Sequence, residues 1–207
     1  MQTNEQKLEI LAFGAHPDDI DLSCSGTLAS QIDRGAKAGV IDFTRGEMGT
    51  RGTPEIRDQE AQKAAEIIGL SIRENMGFQD GFISNSDENC LKLIQKIRQY
   101  RPDVVLANIF EDQHPDHVNA AQLAARTFYL SGLSKIETEY QGQPQQAWRP
   151  RVLYHYMQAD YRKPDFIVDI SAHWKRKVAA MQAFQSQFGS LQDQEEDIFI
   201  ADPAFMK

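Results

Sequence analysis

The sequence predicts an α/β domain built on a mostly parallel sheet. Short apolar runs recur along the chain, and most are separated by longer segments whose apolar residues return at helical spacing. That alternation implies βαβ units. Size agrees, because 207 residues suit one domain with a sizeable core, taken as 1–207.

The elements follow in order. Residues 8–13 (LEILAF) are mostly apolar and stop at Gly14, which reads as a buried strand. Residues 20–34 carry Leu22, Leu28 and Ile32 at roughly helical spacing, and 37–44 (KAGVIDFT) form a second strand. After the Gly-rich loop RGEMGTRGT, a helix spans 54–70, with Thr53 as N-cap, Pro54 in the first turn and Gly69 near the stop. Residues 71–78 are strand-like. A helix over 88–100 lines up Leu91, Ile94 and Ile97, residues 103–109 (DVVLANI) form a buried strand, and a helix covers 117–130. The polar Gln/Pro stretch 137–150 reads as a long surface loop. The apolar runs Val152–Tyr156 and 166–170 can add strands. A final helix over 171–188 places Trp174, Val178, Met181 and Phe184 along one stripe, which reads as packing.

Composition narrows the function. The formal net charge is −8 and no dense Lys/Arg stripe appears, so nucleic acid and anionic membranes are poor partners and a small molecule suits better. No apolar stretch approaches membrane-spanning length. The N-terminal stretch lacks a basic region followed by a long apolar core, so cytoplasm is the expected location. Cys24 and Cys90, without a CxxC pattern, suggest buried thiols in a reducing compartment.

Two of the five histidines stand in His-Pro-Asp steps just after apolar runs, in AFGAHPDDIDLSCSG and NIFEDQHPDHVNAA. Both segments fall where a parallel strand ends, the place where open α/β sheets bind ligands. Imidazole nitrogen and carboxylate oxygen are both ligands for divalent metals. His16 and Asp19 can point inward from one turn and His117 can arrive from the other strand end, leaving a tetrahedral Zn²⁺ with an open position. Asp18 is then placed as general base, His114 as oxyanion partner, and Asp116 as the group that orients and charges His114. The ordinary alternative for each segment alone is an N-cap or a turn. Two such segments with a complete ligand set favour a site.

These residues carry a family resemblance. AHPDD and HPDH resemble the LmbE/PIG-L family of zinc-dependent N-deacetylases, over most of the chain from Ile10 to about Phe188. TRGEMGTRGTPEIRDQEA, FQDGFI and VVLANIFEDQHPDHVNAA are similar to the group that deacetylates N-acetylglucosaminyl-malate in bacillithiol biosynthesis. The resemblance implies a Rossmann-like three-layer fold with helices on both faces. It implies Zn²⁺, or another divalent metal such as Fe²⁺, on His16, Asp19 and His117, with Asp18, His114 and Asp116 in the roles above. It also implies homo-oligomers, hexamers among them. Arg57 sits where the family places an arginine near the sugar; a helix pair with Glu60 is its alternative. Asp80 in QDG and Glu47 in the Gly-rich loop are candidates for binding sugar hydroxyls, with turn and loop roles as alternatives.

The implied reaction is metal-assisted hydrolysis of an acetamide. Two rivals stay open. His16-Pro17-Asp18 is an H-x-D that, with a distal His, suits a non-haem Fe(II) oxygenase. The GEMGTRG loop superficially suits a phosphate cradle, although it lacks G-x-G-x-x-G and a Walker lysine. His155 and His173 read as a strand-face and a helix-start histidine, and Cys24 as a small buried hydrophobe.

Overall fold

The computed structural model describes residues 7–159 and 162–189. Residues 1–6, part of the N-terminal stretch read for a leader, lie outside them.

The chain runs β1 (Ile10–Gly14), α1 (Asp19–Ser23), α2 (Ser25–Asp33), β2 (Ala38–Asp42), α3 (Pro54–Ile68), β3 (Ile72–Asn75), α4 (Asp87–Tyr100), β4 (Val104–Asn108) and α5 (Pro115–Leu130). A two-residue pair, β5 (Glu139–Tyr140) and β6 (Gln143–Pro144), precedes β7 (Val152–Tyr156), α6 (Trp174–Ala183) and α7 (Gln185–Phe188). The main sheet has the order β3-β2-β1-β4-β7, parallel throughout. All five residues of β1 are buried, and their alternation explains why both faces are covered. Leu11 and Phe13 pack with Leu93, Ile94 and Ile97 of α4 and with Leu123 of α5. Ile10 and Ala12 pack with Leu28 of α2, Ala64 and Ile68 of α3, and Ala180 of α6. The result is the expected α/β fold with a mostly parallel sheet and helices on both faces.

Helix ends follow from local chemistry. Thr53 caps α3 by accepting from the Ile56 N–H, Pro54 follows, and Gly69 closes the helix at φ 87°. Ser86 caps α4 in the same way, through the Asn89 N–H. α5 begins at Pro115, because the His114 ring nitrogen accepts from the Asp116 N–H and serves as its cap. HPDH therefore forms the cap and first turn of the helix.

Three expectations change. The helix expected over 20–34 is two helices. Ser25 Oγ donates to the Asp21 carbonyl at 2.7 Å, and Lys177 Nζ donates to the Leu22 and Ser23 carbonyls, so the chain turns at Cys24. The run 166–170 is not a strand. Phe166 is 56% and Ile167 84% exposed, no neighbouring strand among the described residues pairs with them, and Asp169 turns the chain by accepting from the Ser171 N–H and Oγ–H. The final helix is a 3₁₀ turn (Ser171–His173), then α6, a break at buried Phe184, and α7. Glu60 of α3 pulls α7 aside by accepting from the Ser186 N–H and Oγ–H, both at 2.6 Å. The loop 137–150 holds the small β5–β6 pair.

Candidate metal centre

The strand order reverses between β1 and β4, since β2 and β3 lie to one side of β1 and β4 and β7 to the other. A crevice opens outside the strand ends at such a switch point. His16, Asp18 and Asp19 leave β1 there, and His114, Asp116 and His117 leave β4, so two stretches about a hundred residues apart meet. The ring centroids of His16 lie 4.7 Å from His114 and 5.3 Å from His117.

Asp19 bridges the two histidines expected to hold a metal. One oxygen, Oδ1, is 3.3 Å from His117 Nε2, and Oδ2 is 3.8 Å from His16 Nδ1. The other ring nitrogens face carboxylates behind them. His16 Nε2 is 3.2 Å from Asp80 and 3.4 Å from Asp116, and His117 Nδ1 is 3.0 Å from Asp112. These are ion-pair approaches that place carboxylates behind the two rings, since neither far nitrogen has a hydrogen-bond partner among the described residues. Among the described residues, donor atoms lie within 4.8 Å of one another in two groups, His16–His114–His117 and His16–Asp80–Asp116, while Asp19 meets His16 and His117 through different oxygens.

The electrostatics fit a cation. Burial works against a charge on His16, yet Asp116, Asp19 and Asp80 outweigh it and hold its pKa well above the ordinary value. Burial also opposes a proton on His117, and Asp19 overcomes it. Asp19 itself is held well below the carboxylate range, since His117 and His16 prevail over its burial. Positive charge is thus favoured on the two imidazoles beside Asp19. A divalent metal would supply it while displacing protons. The donor set of two imidazoles and one carboxylate with a further face open suits a catalytic zinc site.

Beside it stands Asp18. Burial raises its pKa from 3.8 to about 7, with Arg57 opposing and Asp19 adding to the rise. Arg57 Nη2 donates to Asp18 Oδ2 at 3.1 Å and to the Pro17 carbonyl at 3.0 Å. The Gly-rich loop wraps this guanidinium: a Cβ at Gly46 would lie 2.5 Å from Arg57 Nη1. That is why glycine stands there, and it gives the loop a protein partner in place of a phosphate. The H-x-D reading also loses ground, because Asp18 is turned to Arg57 while Asp19 meets the histidines.

Other expected roles shift. The Asp116 carboxylate faces His16 and accepts from the Gly81 N–H at 2.7 Å and the Ile83 N–H at 3.1 Å. It therefore orients His16 rather than His114, and only its backbone N–H reaches His114 Nδ1, at 3.2 Å. Burial and the neighbouring His16 and His117 lower the His114 pKa, which works against the charge expected there, and its Nδ1 accepts from the Asp116 N–H, so the proton of the neutral ring belongs on Nε2. Asp80 lines the cleft, but its carboxylate is engaged by His16 and by the Met48 N–H at 2.8 Å. Glu47 is exposed and outside the cleft lining; it ties the loop together by accepting from the Arg45 and Asp80 N–H groups. Arg57 does line the cleft, but its polar contacts are to Asp18 and Pro17.

The cleft, about 740 Å³, is walled by Leu22, Met48, Met157, Trp174, Val178 and Met181 beyond the polar centre. Trp174, Val178 and Met181, which helical spacing alone assigns to packing, thus also face the cleft. Sequence reasoning misses Asp112, Asn108 and Gln158; Asn108 and Asp112 both lie within the quoted NIFEDQHPDH segment, Asp112 five residues before the histidine it faces. His155 and His173 lie elsewhere, on the Asn108 carbonyl and Asp33 respectively. Cys24 and Cys90 are buried free thiols, and burial pushes Cys24 up to about 12. Among the described residues, no helix is long and apolar enough to cross a membrane.

The chain and its fold are similar to known proteins. The PIG-L family model, described as GlcNAc-PI de-N-acetylase, matches residues 11–128. A conserved protein of Thermus thermophilus superposes with TM-score 0.82 at 42% identity, covering 87% of this chain and 80% of that one. The uncharacterized deacetylase YaiS of Escherichia coli is 31% identical over 57% of this chain and 68% of its own. A diacetylchitobiose deacetylase of Thermococcus kodakarensis is 27% identical over 87% and 70%. More distant relatives include a probable N-acetyl-alpha-D-glucosaminyl L-malate deacetylase 2 of Bacillus anthracis, 24% identical over 87% and 82%. A 4-oxalmesaconate hydratase of Pseudomonas putida is 26% identical over 89% and 76%. The family match spans both His-Pro-Asp segments and the switch point they share, and the chain belongs to the PIG-L/LmbE family of N-deacetylases.

Proposed function

We propose that this chain hydrolyses the acetamide of an N-acetylglucosamine conjugate, using a divalent metal, zinc first, held by His16, Asp19 and His117. One observation carries the reading: a buried carboxylate, Asp18, lines the same cleft as His16, Asp19 and His117 and is held there by Arg57. Its pKa, raised to about 7, suits the task, since a general base works best with a pKa near the operating pH.

A divalent metal held by His16, Asp19 and His117 would supply Lewis acidity and a more acidic water, with a pKa toward about 7. The chain's own residues do the rest. Asp18, steadied by Arg57, takes a proton from the attacking water. His114 holds its proton on Nε2, because Nδ1 accepts from the Asp116 N–H, and can donate to the oxyanion as a neutral ring. Asp80, Asp116 and Asp112 stand within ion-pair distance behind the two ligating imidazoles and favour positive charge there. The apolar cleft walls, among them Leu22, Met157 and Val178, give the sugar conjugate an apolar surface beside the polar centre. When the carbon–nitrogen bond breaks, Asp18 returns the proton it took from water to the leaving amine.

For the substrate itself, the sequence stretches quoted above and the Bacillus anthracis relative support N-acetylglucosaminyl-malate, which would place the chain in bacillithiol biosynthesis. The exposed Tyr154, Phe166 and Ile167 beside the edge strand β7 support the expected self-association.

The test is acetate release from N-acetylglucosaminyl-malate and, in parallel, from diacetylchitobiose, before and after chelation and zinc restoration. Zinc-dependent release from the malate conjugate supports both levels of the reading. Release from diacetylchitobiose alone keeps the deacetylase and discards malate. No release from either, with hydration of an unsaturated carboxylic acid instead, would move the chain to the chemistry named for its Pseudomonas putida relative.

A further inference from the structure

Asp19 is held by two amides that lie outside both His-Pro-Asp motifs. Gln158 Nε2 donates to Asp19 Oδ1 at 2.7 Å, and Asn108 Nδ2 donates to Asp19 Oδ2 at 3.2 Å. The two amides are also joined, with Asn108 Nδ2 donating to Gln158 Oε1 at 2.7 Å. The backbone N–H of His16 adds a donor on Oδ2 at 3.0 Å. Both carboxylate oxygens therefore carry donors, and Asp19 is 3% exposed. Two donors of fixed position on opposite oxygens set the plane of a carboxylate.

The sheet explains how they meet. Asn108 is the last residue of β4 and is in register with Tyr156, the last of β7. Gln158 follows two residues later, so it reaches back over the end of β4 toward the mouth of β1. The amide orientations are dictated by the carboxylate, since reversing either would set an oxygen against Asp19. Asn108 gives up something for this, because its Oδ1 is buried with no partner among the described residues.

We infer that Gln158, steadied by Asn108, is a positioning residue that fixes Asp19 as a metal ligand. This rests on the metal reading of His16, Asp19 and His117. Gln158 also lines the cleft, so a substrate contact is the competing role. Its oxygen and its nitrogen are both already engaged, by Asn108 and Asp19, which turns its stem to the cleft.

The experiment measures zinc affinity of the purified full chain by competition with a chelator, for wild type, Q158L, N108A and the double variant. Far-UV circular dichroism checks folding, and kcat and KM are taken at saturating zinc. Q158L is expected to weaken zinc binding by about 10-fold or more, as loss of a group supporting a ligand does, with KM unchanged. N108A is expected to weaken it too, and the double variant to fall short of the product of the two effects, because the amides act as one unit. Unchanged zinc affinity in folded Q158L, whether KM rises or not, would overturn the inference and leave the metal centre intact. Absence of saturable zinc binding in the wild type would overturn the metal reading itself, and this inference with it.

Discussion

Replacing Asp18 by Asn separates the chemistry of the site from its stability. The side chain keeps its shape but can no longer take a proton, so turnover should fall by about 100-fold or more. Zinc affinity should hold, because Asp18 is turned to Arg57 while Asp19 meets both histidines. The less obvious outcome concerns folding. Removing one partner of a buried ion pair ordinarily destabilises by about 3–5 kcal/mol. Here the carboxylate is itself the burden. Burial raises its pKa from 3.8 to about 7 even with Arg57 beside it. That rise corresponds to a penalty on the order of 4 kcal/mol for the ionised form in the folded chain.

The sign follows. A folded-state pKa above the unfolded one gives stability that is fully present below 3.8 and lost as pH rises through about 7. Asn is neutral throughout, so it escapes that loss. The assay is thermal melting of wild type and D18N, both stripped of metal by chelation, from pH 5 to pH 8.5. The difference in Tm between D18N and wild type should grow in favour of D18N from pH 5 to about 7 and level off above it. The stranded Arg57 guanidinium offsets part of the gain but does not change with pH. A constant or opposite trend would refute the burial argument. Turnover of D18N near wild type would remove Asp18 from the base role, and loss of zinc binding would make it a ligand.

Three other outcomes follow from the same geometry. In R57M the guanidinium that lowers the Asp18 pKa is gone, so the acidic limb of the kcat/KM profile should move to higher pH; a fixed limb with only KM raised would make Arg57 a substrate residue instead. H114A should lower kcat by about 10²–10³-fold with little change in KM, since a donor to developing charge acts in the transition state; a comparable rise in KM with kcat unchanged would contradict this. Arg73 pairs with Asp21 at 2.9 Å and Asp42 at 2.8 Å, all three side chains being nearly buried. R73M should cost about 3–5 kcal/mol at pH 7. The loss should shrink in acid, because Asp42, raised to about 6 chiefly by burial, takes up a proton as pH falls. A pH-independent loss in urea unfolding would refute that account.

The parts of the site legible in the sequence are those written locally. His16, Asp18 and Asp19 sit within four residues of one another, as do His114, Asp116 and His117, and each set follows an apolar run that ends in a buried strand. Spacing, strand ends and donor chemistry are enough to bring them together. What is not legible depends on distance through the fold. Gln158 meets Asp19 only because β7 pairs with β4 in one register, and a one-residue slip would send it to the other face. Sequence nearness assigns Asp116 to His114, but a helix N-terminus turns its carboxylate inward to His16 and the loop at Gly81. The break at Cys24 has the same origin, since Lys177 arrives from α6 to take the carbonyls that would have continued the helix.

The overall charge of −8 is distributed unevenly. Asp18, Asp19, Asp80, Asp112 and Asp116 converge on one crevice, four of them on His16 or His117. Ionised groups this close in a dry site repel one another unless positive charge stands among them. The described cations nearest the centre are committed elsewhere, Arg57 to Asp18 and Lys177 to the end of α1. Protons on His16 and His117 supply the balance, at the cost of blocking the nitrogens that face Asp19. A divalent metal provides the same charge while freeing those protons, so its affinity must rise steeply with pH. Zinc binding by the apo chain should therefore tighten as pH is raised from 5 to 8, with protons released on titration in unbuffered solution. Affinity that stays flat over that range would mean the histidines are not the ligands, whatever the motifs suggest.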